Sequence, residues 1–226
     1  MTAAAAPSAE DVIDQLVAAL RSAGSLPAAA NPVPWDEFGH QARAIHSTFT
    51  VDHTTLTPPM RRLLFAIGAT SGLSRLLVVG SFVGYATAFL IAGMLMNGVV
   101  DAVCIDPDAS ANASARRNLG SLWPGTAAVV DGFAPVDLPE LMPVPMLVLL
   151  DLDDPETGKA GYASVVEALA PTLQAGSLVL AHDAAVPRFA ADIDAFHEAL
   201  VGTGTTGTPL VLPVDACGIS LTAVLR

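Results

Sequence analysis

A chain of 226 residues that is 52% hydrophobic, with a mean hydropathy of +0.54, holds enough apolar material to close the core of one α/β domain. Its formal net charge of -12, with basic residues scattered singly apart from Arg61–Arg62 and Arg116–Arg117, gives no basic stripe and excludes nucleic acid as the expected partner. No uninterrupted apolar run reaches the roughly 18 residues of a membrane span. The opening MTAAAAPSAE lacks the basic and apolar regions of a leader, and Cys104 and Cys217 lie in apolar runs without ligand spacing, so a cytoplasmic protein with two buried free thiols is expected.

Residues 1–10 and 24–34 are rich in alanine and proline and read as a tail and a linker. Between them, EDVIDQLVAALRSAG has apolar residues at 12, 13, 16, 17 and 20, acids at its start and Arg then Gly at its end, which predicts an amphipathic helix. A second helix is expected over 35–50, and a third over PPMRRLLFAIGATSGL, with Pro58 and Pro59 near its start. From Leu76 short apolar strands alternate with helical stretches. LLVVG precedes YATAFLIAGMLMNG, VDAVCID precedes ASANASARRNLG, and TAAVVD precedes a proline-rich loop. PMLVLLD is followed by GYASVVEALAPTLQAG and SLVLAHD by FAADIDAFHEALVG, and PLVLPV and GISLTAVL close the chain with no helix between them. Apolar strands alternating with helices imply a mostly parallel sheet covered on both faces; the final pair implies a hairpin that puts one antiparallel strand into it.

Ligands of such sheets bind beyond the carboxyl ends of the strands. Four strand runs end in acid, at Asp106, Asp131, Asp151 and the pair His182–Asp183. Like charges gathered on one edge repel unless a ligand or cation offsets them, so a polar site lined by carboxylates is expected there. The first turn, GSFVGYAT, is neither GxGxxG nor a phosphate loop, which disfavours a pyrophosphate cofactor. Gly80 lets backbone pass close to a ligand, and Asp106 at the tip of the second strand is placed for a ribose, so an adenosine-containing ligand without pyrophosphate suits both.

From about Pro58 to Arg226, about three quarters of the chain, the sequence resembles the S-adenosylmethionine-dependent O-methyltransferases of the catechol and caffeoyl-CoA type. LLVVGSFVGYAT looks like the family's V-L-E-I-G-T-x-T-G-Y-S, and VCIDPDASANASARRNL like its ribose-binding strand and A-R-x-x-L helix. VVDGFAPVDLPEL is similar to G-D-A-x-x-x-L, YASVVEALAPTLQAGSLVLAHDAAV to the segment ending in D-N-x-L, and LPVDACGISLTAVLR to the closing L-P-x-x-D-G-x-x-x-A-x-K. The resemblance implies a Rossmann-like class I methyltransferase fold: a seven-stranded, mostly parallel sheet with one antiparallel strand in a C-terminal hairpin, helices on both faces and extra N-terminal helices. Residues 1–57 would be a lid or dimer element and 58–226 the cofactor-binding domain of a homodimer.

Carried over by position, Gly80, Ser81, Phe82 and Tyr85 would line the methionine and ribose part of the cofactor. Asp106 would hold the ribose hydroxyls, Gly132, Phe133 and Ala134 would flank the adenine, and Asp151 would border the cofactor from the fourth strand. Two departures stand out, since the motif acid falls on Val78 and the serine after Gly-Tyr on Ala86. In metal-dependent relatives three oxygen ligands match Asp151, His182 and Asp183 here, and the imidazole would shift preference from Mg²⁺ toward Mn²⁺ or softer ions. The alternative is that His182 and Asp183 hydrogen-bond only each other or nearby loops.

The stretch LLDLDDPETGKAGY holds the chain's single lysine. The family has D-A-D-K-x-N-Y there, with the lysine as proton acceptor. Without a gap its place falls on Asp154; with DPETG as an insertion, Lys159 in KAGY is the same lysine on a lengthened loop, which either keeps the amine at the site as the base or swings it away as an exposed lysine. A third candidate base is His182. A lid over the cofactor draws on residues 35–60, with His53 the residue to test against substrate. The expected activity is O-methylation of a small phenolic or related hydroxyl acceptor, with N-methylation or a non-methylating cyclase or isomerase of the same fold as the alternative.

Overall fold

The computed structural model describes residues 7–28, 31–51 and 56–226. Three helices come first: α1 (Ala9–Ser22), α2 (Trp35–Thr48) and α3 (Pro58–Ser71). A capping box starts α1, where the Ser8 hydroxyl accepts from the Asp11 N–H and the Asp11 carboxylate accepts from the Ser8 N–H. The alternating part follows: β1 (Arg75–Val79), α4 (Tyr85–Met94), β2 (Asp101–Asp106), α5 (Ala109–Leu122), β3 (Ala127–Asp131) and β4 (Leu147–Leu150). It continues with α6 (Gly161–Leu169), β5 (Leu178–His182), α7 (Ala190–Gly202), β6 (Leu210–Leu212) and β7 (Ile219–Ala223). Each strand starts and stops within two residues of the apolar run that predicted it, and β3 and β4 are joined by the expected proline-rich loop.

All seven strands form one sheet in the order β3-β2-β1-β4-β5-β7-β6. Pairing is parallel from β3 through β5, and β7 runs antiparallel to both neighbours, as the helix-free C-terminal pair demands. Side chains alternate between two packed layers. Leu76, Val78, Cys104, Leu147, Leu149 and Leu180 join the layer built by α1 to α4, while Leu77, Val79, Ile105, Val148, Leu150 and Ala181 join that of α6 and α7. This is why the strands lack a polar face.

The N-terminal helices share that first layer: Ile13, Val17, Phe38 and Ile45 belong to the same apolar cluster as the sheet and α4. Helix α4 is consequently apolar all round, with Phe89, Leu90 and Ile91 fully buried between the sheet and the outer helices. Each such side chain contributes on the order of 2 kcal/mol of burial. Thr57 caps α3 by accepting from the Met60 N–H, and its hydroxyl donates to Asp215 in the β6–β7 turn. That contact ties the start of α3 to the C-terminal hairpin beside the tip of β5. Among the described residues no helix is long and apolar enough to cross a membrane.

Candidate active site

The chain winds outward in opposite directions from β1 and β4, so their carboxyl ends flank the crevice at which open α/β sheets bind ligands. Gly80 leaves β1 with φ +82°, a conformation that side chains with a Cβ avoid. A Cβ there would lie 2.5 Å from the Asp151 carbonyl carbon and oxygen and from the Leu152 nitrogen. The two strand ends therefore touch backbone to backbone. Beside them the Ser81 hydroxyl is buried and has no hydrogen-bond partner among the described residues.

Asp106 fixes the loop. One carboxylate oxygen accepts the Phe82 N–H at 2.8 Å and the other the Asp108 N–H at 2.9 Å, leaving the side chain buried at the tip of β2. Phe82 adopts φ +46°, uncommon for a residue other than glycine, and its ring is 55% exposed. Tyr85 turns elsewhere: its hydroxyl accepts from Arg61 of α3 at 3.0 Å, and its ring packs on Phe49 and Phe89. Across β2, the Gly132 N–H donates to the Asp106 carbonyl, and the Phe133 N–H donates to Asp137. Phe133 is exposed and Ala134 half-buried.

On the other side of the crevice the chain's lysine is at the centre of a charge cluster. Lys159 is 1% exposed, with its Nζ 2.9 Å from Asp183 Oδ2 and 3.5 Å from Asp151 Oδ1. The rings of Tyr162 and Phe189 lie 5.5 and 5.6 Å from the ammonium. Its own backbone N–H donates to Asp192 in the first turn of α7. His182, buried at the end of β5, sets Nδ1 3.2 Å from Asp151 Oδ1 and 3.5 Å from Asp183 Oδ1. Its Nε2 has no partner among the described residues. The Tyr162 hydroxyl donates to the His182 carbonyl.

The expected lengthening of the loop by DPETG does not carry the lysine away. Asp154 and Gly158 exchange backbone hydrogen bonds at 3.0 and 2.8 Å, closing the insertion into a tight turn that returns Lys159 to the sheet edge. Asp154 serves that turn, half-buried and accepting the Glu156 and Thr157 N–H groups, and does not reach the cluster. Asp131 is also apart: it pairs with Arg116 and Asn112 on the outer strand. His53 lies outside the described residues.

Burial alone would push the His182 imidazole down, but the charge and hydrogen bond of Asp151, with Asp183 behind, outweigh it and raise its pKa. Burial likewise works to raise Asp183, and the charges of His182 and Lys159, with hydrogen bonds from Lys159 and Cys217, pull it below the ordinary carboxylate value. Burial, then the nearby carboxylates, push the Tyr162 hydroxyl well up, so it stays a neutral donor. Cys217 corrects the expectation of two buried thiols: Cys104 is buried, with its thiol pushed up to about 12 by that burial, whereas Cys217 is half-buried and hydrogen-bonds Asp183. No spacing signal in the sequence points to that contact.

The cluster does not fit a Mg²⁺ or Mn²⁺ ion. Such ions need oxygen lone pairs at about 2.0–2.6 Å. The Asp183 oxygens already face Lys159 and His182, Asp151 Oδ1 faces both, and the Nδ1 edge of His182 is turned to carboxylates. Donor atoms of His182, Asp183 and Cys217 do approach within 4.8 Å of one another, a mixed set better suited to a softer ion, but the ammonium stands against Asp183 there too.

The sequence matches no protein-family model and no curated protein. Solved structures match in fold. An O-methyltransferase from Bacillus cereus in complex with SAH shares 15% identity at a TM-score of 0.63, over 95% of this chain and 97% of that one. The O-methyltransferase TomG from Streptomyces achromogenes, involved in tomaymycin synthesis and solved with SAM, shares 18% at a TM-score of 0.65, over 95% and 96%. An SAH-bound methyltransferase from Podospora anserina shares 14% at a TM-score of 0.60, over 100% of both chains. At these identities the likeness establishes the Rossmann-like class I methyltransferase fold that the strand order and antiparallel β7 already describe.

Proposed function

We propose that the chain is an S-adenosylmethionine-dependent O-methyltransferase acting on a phenolic hydroxyl of a small molecule. One observation carries this reading: a backbone cradle at the end of β1 and an acid-oriented imidazole at the end of β5 flank the same topological switch point. The cradle fits the methyl donor. The Ser81 hydroxyl beside Gly80 is buried and unspent, and Asp106 is held where a ribose is bound in folds of this kind. Gly132, Phe133 and Ala134 would flank the adenine.

When bound, S-adenosylmethionine supplies an electrophilic methyl group on a sulfonium, so the protein has to align the acceptor and take its proton. Asp151 and Asp183 hold the proton of His182 on Nδ1, which leaves the lone pair on the unpartnered Nε2. Nε2 would take the hydroxyl proton as the acceptor oxygen receives the methyl group and the sulfonium leaves as a neutral thioether. An imidazole is matched to a phenol, whose pKa is about 10, far better than to an aliphatic alcohol. The resulting imidazolium is stabilised by the same two carboxylates.

Residues 1–57 would then act as a lid or as part of a homodimer interface. One observation favours a non-methylating or N-methylating relative instead: Val78, in the place of the motif acid, is buried and offers the donor no charge. Calorimetric titration with S-adenosylmethionine and S-adenosylhomocysteine tests the proposal. Micromolar binding of both is expected, at least about tenfold weaker in Asp106→Ala, followed by turnover on a panel of phenols. Failure of both ligands to bind refutes the cofactor assignment; binding without turnover on any hydroxyl favours the second reading.

A further inference from the structure

We propose that Lys159 is the permanent cation of this site: its ammonium occupies the position between Asp151 and Asp183 where metal-dependent enzymes of this fold bind a divalent ion, so that no divalent ion binds there. The inference rests on the geometry of the cluster. It does not need the methyl-transfer reading, and it stands or falls separately from cofactor binding.

Three observations support it. The ammonium is 1% exposed and lies 2.9 Å from Asp183 Oδ2 and 3.5 Å from Asp151 Oδ1, so an ion coordinated by both carboxylates would have to displace it. It cannot easily leave, because the turn closed by Asp154 and Gly158, the Lys159 N–H bond to Asp192 and the rings of Tyr162 and Phe189 fix both ends of the side chain. The carboxylates are also partnered without a metal: the ammonium faces both of them, and His182 Nδ1 faces Asp151 Oδ1 and Asp183 Oδ1. A doubly charged ion added to that set would make it positive in a largely buried place.

The acid-tipped edge thus carries its counter-charge within the chain. The group that does so is the lysine that the insertion displaced from its expected place. In this arrangement Lys159 is a positioning residue: it holds the two carboxylates that orient His182.

The test uses Mn²⁺ as the probe, with the full chain after chelator treatment. Paramagnetic broadening of the His182 ring resonances is followed in the wild type and in Lys159→Met, which keeps length and removes the charge. In the wild type the His182 signals should broaden no more steeply with Mn²⁺ than those of other buried side chains near the same exposed acids, a comparison that separates an ion in the cluster from one loosely held at the surface. In Lys159→Met, which leaves two carboxylates and an imidazole uncovered, Mn²⁺ should broaden them with an affinity at least about a hundredfold higher. Broadening of wild-type His182 that is steeper than theirs overturns the proposal, as does a folded Lys159→Met that gains nothing. Should that variant fail to fold, the wild-type titration still decides: broadening no steeper than theirs upholds the proposal and steeper broadening refutes it.

Discussion

Replacing Gly80 by alanine should damage the molecule at the point where the cradle meets the charge cluster. Alanine at φ +82° costs about 1–2 kcal/mol from Cβ crowding alone. Its Cβ would also sit 2.5 Å from three backbone atoms of Asp151 and Leu152, where carbon contacts settle at about 3.5–4.0 Å, so the ends of β1 and β4 must part by about 1 Å. That movement breaks the 2.8 Å bond from the Asp151 N–H to the Val79 carbonyl, worth about 1 kcal/mol, and adds overpacking strain of about 1–3 kcal/mol. The total is about 3–6 kcal/mol, or a fall of roughly 6–24 °C in Tm for a chain of this size. Gly72, at the C-terminus of α3, supplies the control: its φ is +70° and a Cβ there would meet nothing within 4 Å. Gly72→Ala should therefore cost only the backbone part, about 1–2 kcal/mol. Thermal and urea melts of both variants, side by side, measure the difference. Equal losses would refute the argument that Gly80 is required by the close approach of Asp151 and not merely by its backbone angle.

Three further outcomes follow from the same geometry. His182 has a raised folded pKa, so it adds stability that is complete below its ordinary 6.5 and is lost as pH rises through the folded value; Asp183, lowered from 3.8, adds stability that is complete above 3.8 and is lost as pH falls. Urea melts should show the deficit of His182→Gln shrinking as pH rises above about 6.5 and that of Asp183→Asn shrinking as pH falls below about 3.8; deficits independent of pH would contradict this. Phe82→Gly relieves a left-handed residue and removes an exposed ring, so stability should stay within about 1 kcal/mol of wild type while affinity for S-adenosylhomocysteine falls, a combination that a merely structural Phe82 would not give. Tyr85→Phe should cost about 1 kcal/mol through the lost Arg61 bond and leave cofactor affinity within a few-fold; a tenfold loss would place the hydroxyl on the cofactor.

The sheet was legible because its strands are apolar on both faces and bounded by Gly, Pro or Asp, signals that local chemistry alone produces. The Gly80–Asp106 pair was legible for the same reason, since both sit at the ends of recognisable strands. What could not be read is set by contacts distant in sequence. Arg61 reaching Tyr85, Cys217 reaching Asp183, and Thr57 meeting Asp215 each join elements that no periodicity relates. The fate of DPETG was undecidable by counting, because an insertion either extends a loop or closes on itself. Here Asp154 accepts two N–H groups ahead of it and Gly158 takes φ +62°, so the insertion closes.

The acid-tipped edge turns out to be three separate solutions to one electrostatic problem. Asp106 is satisfied by two backbone N–H groups, Asp131 by Arg116 and Asn112 near solvent, and the pair Asp151 and Asp183 by Lys159 and His182. With the carboxylates already partnered, they are not what marks the crevice as a binding site. Buried polar atoms without partners are the exception in folded proteins and call for a reason. Two of those found here, the Ser81 hydroxyl and His182 Nε2, lie at the carboxyl ends of β1 and β5, on either side of β4. One can still donate to or accept from a bound donor molecule, and the other can still accept a proton. That unspent capacity on the two sides of one crevice, more than the count of acids along its edge, is the physical reason to place the chemistry there.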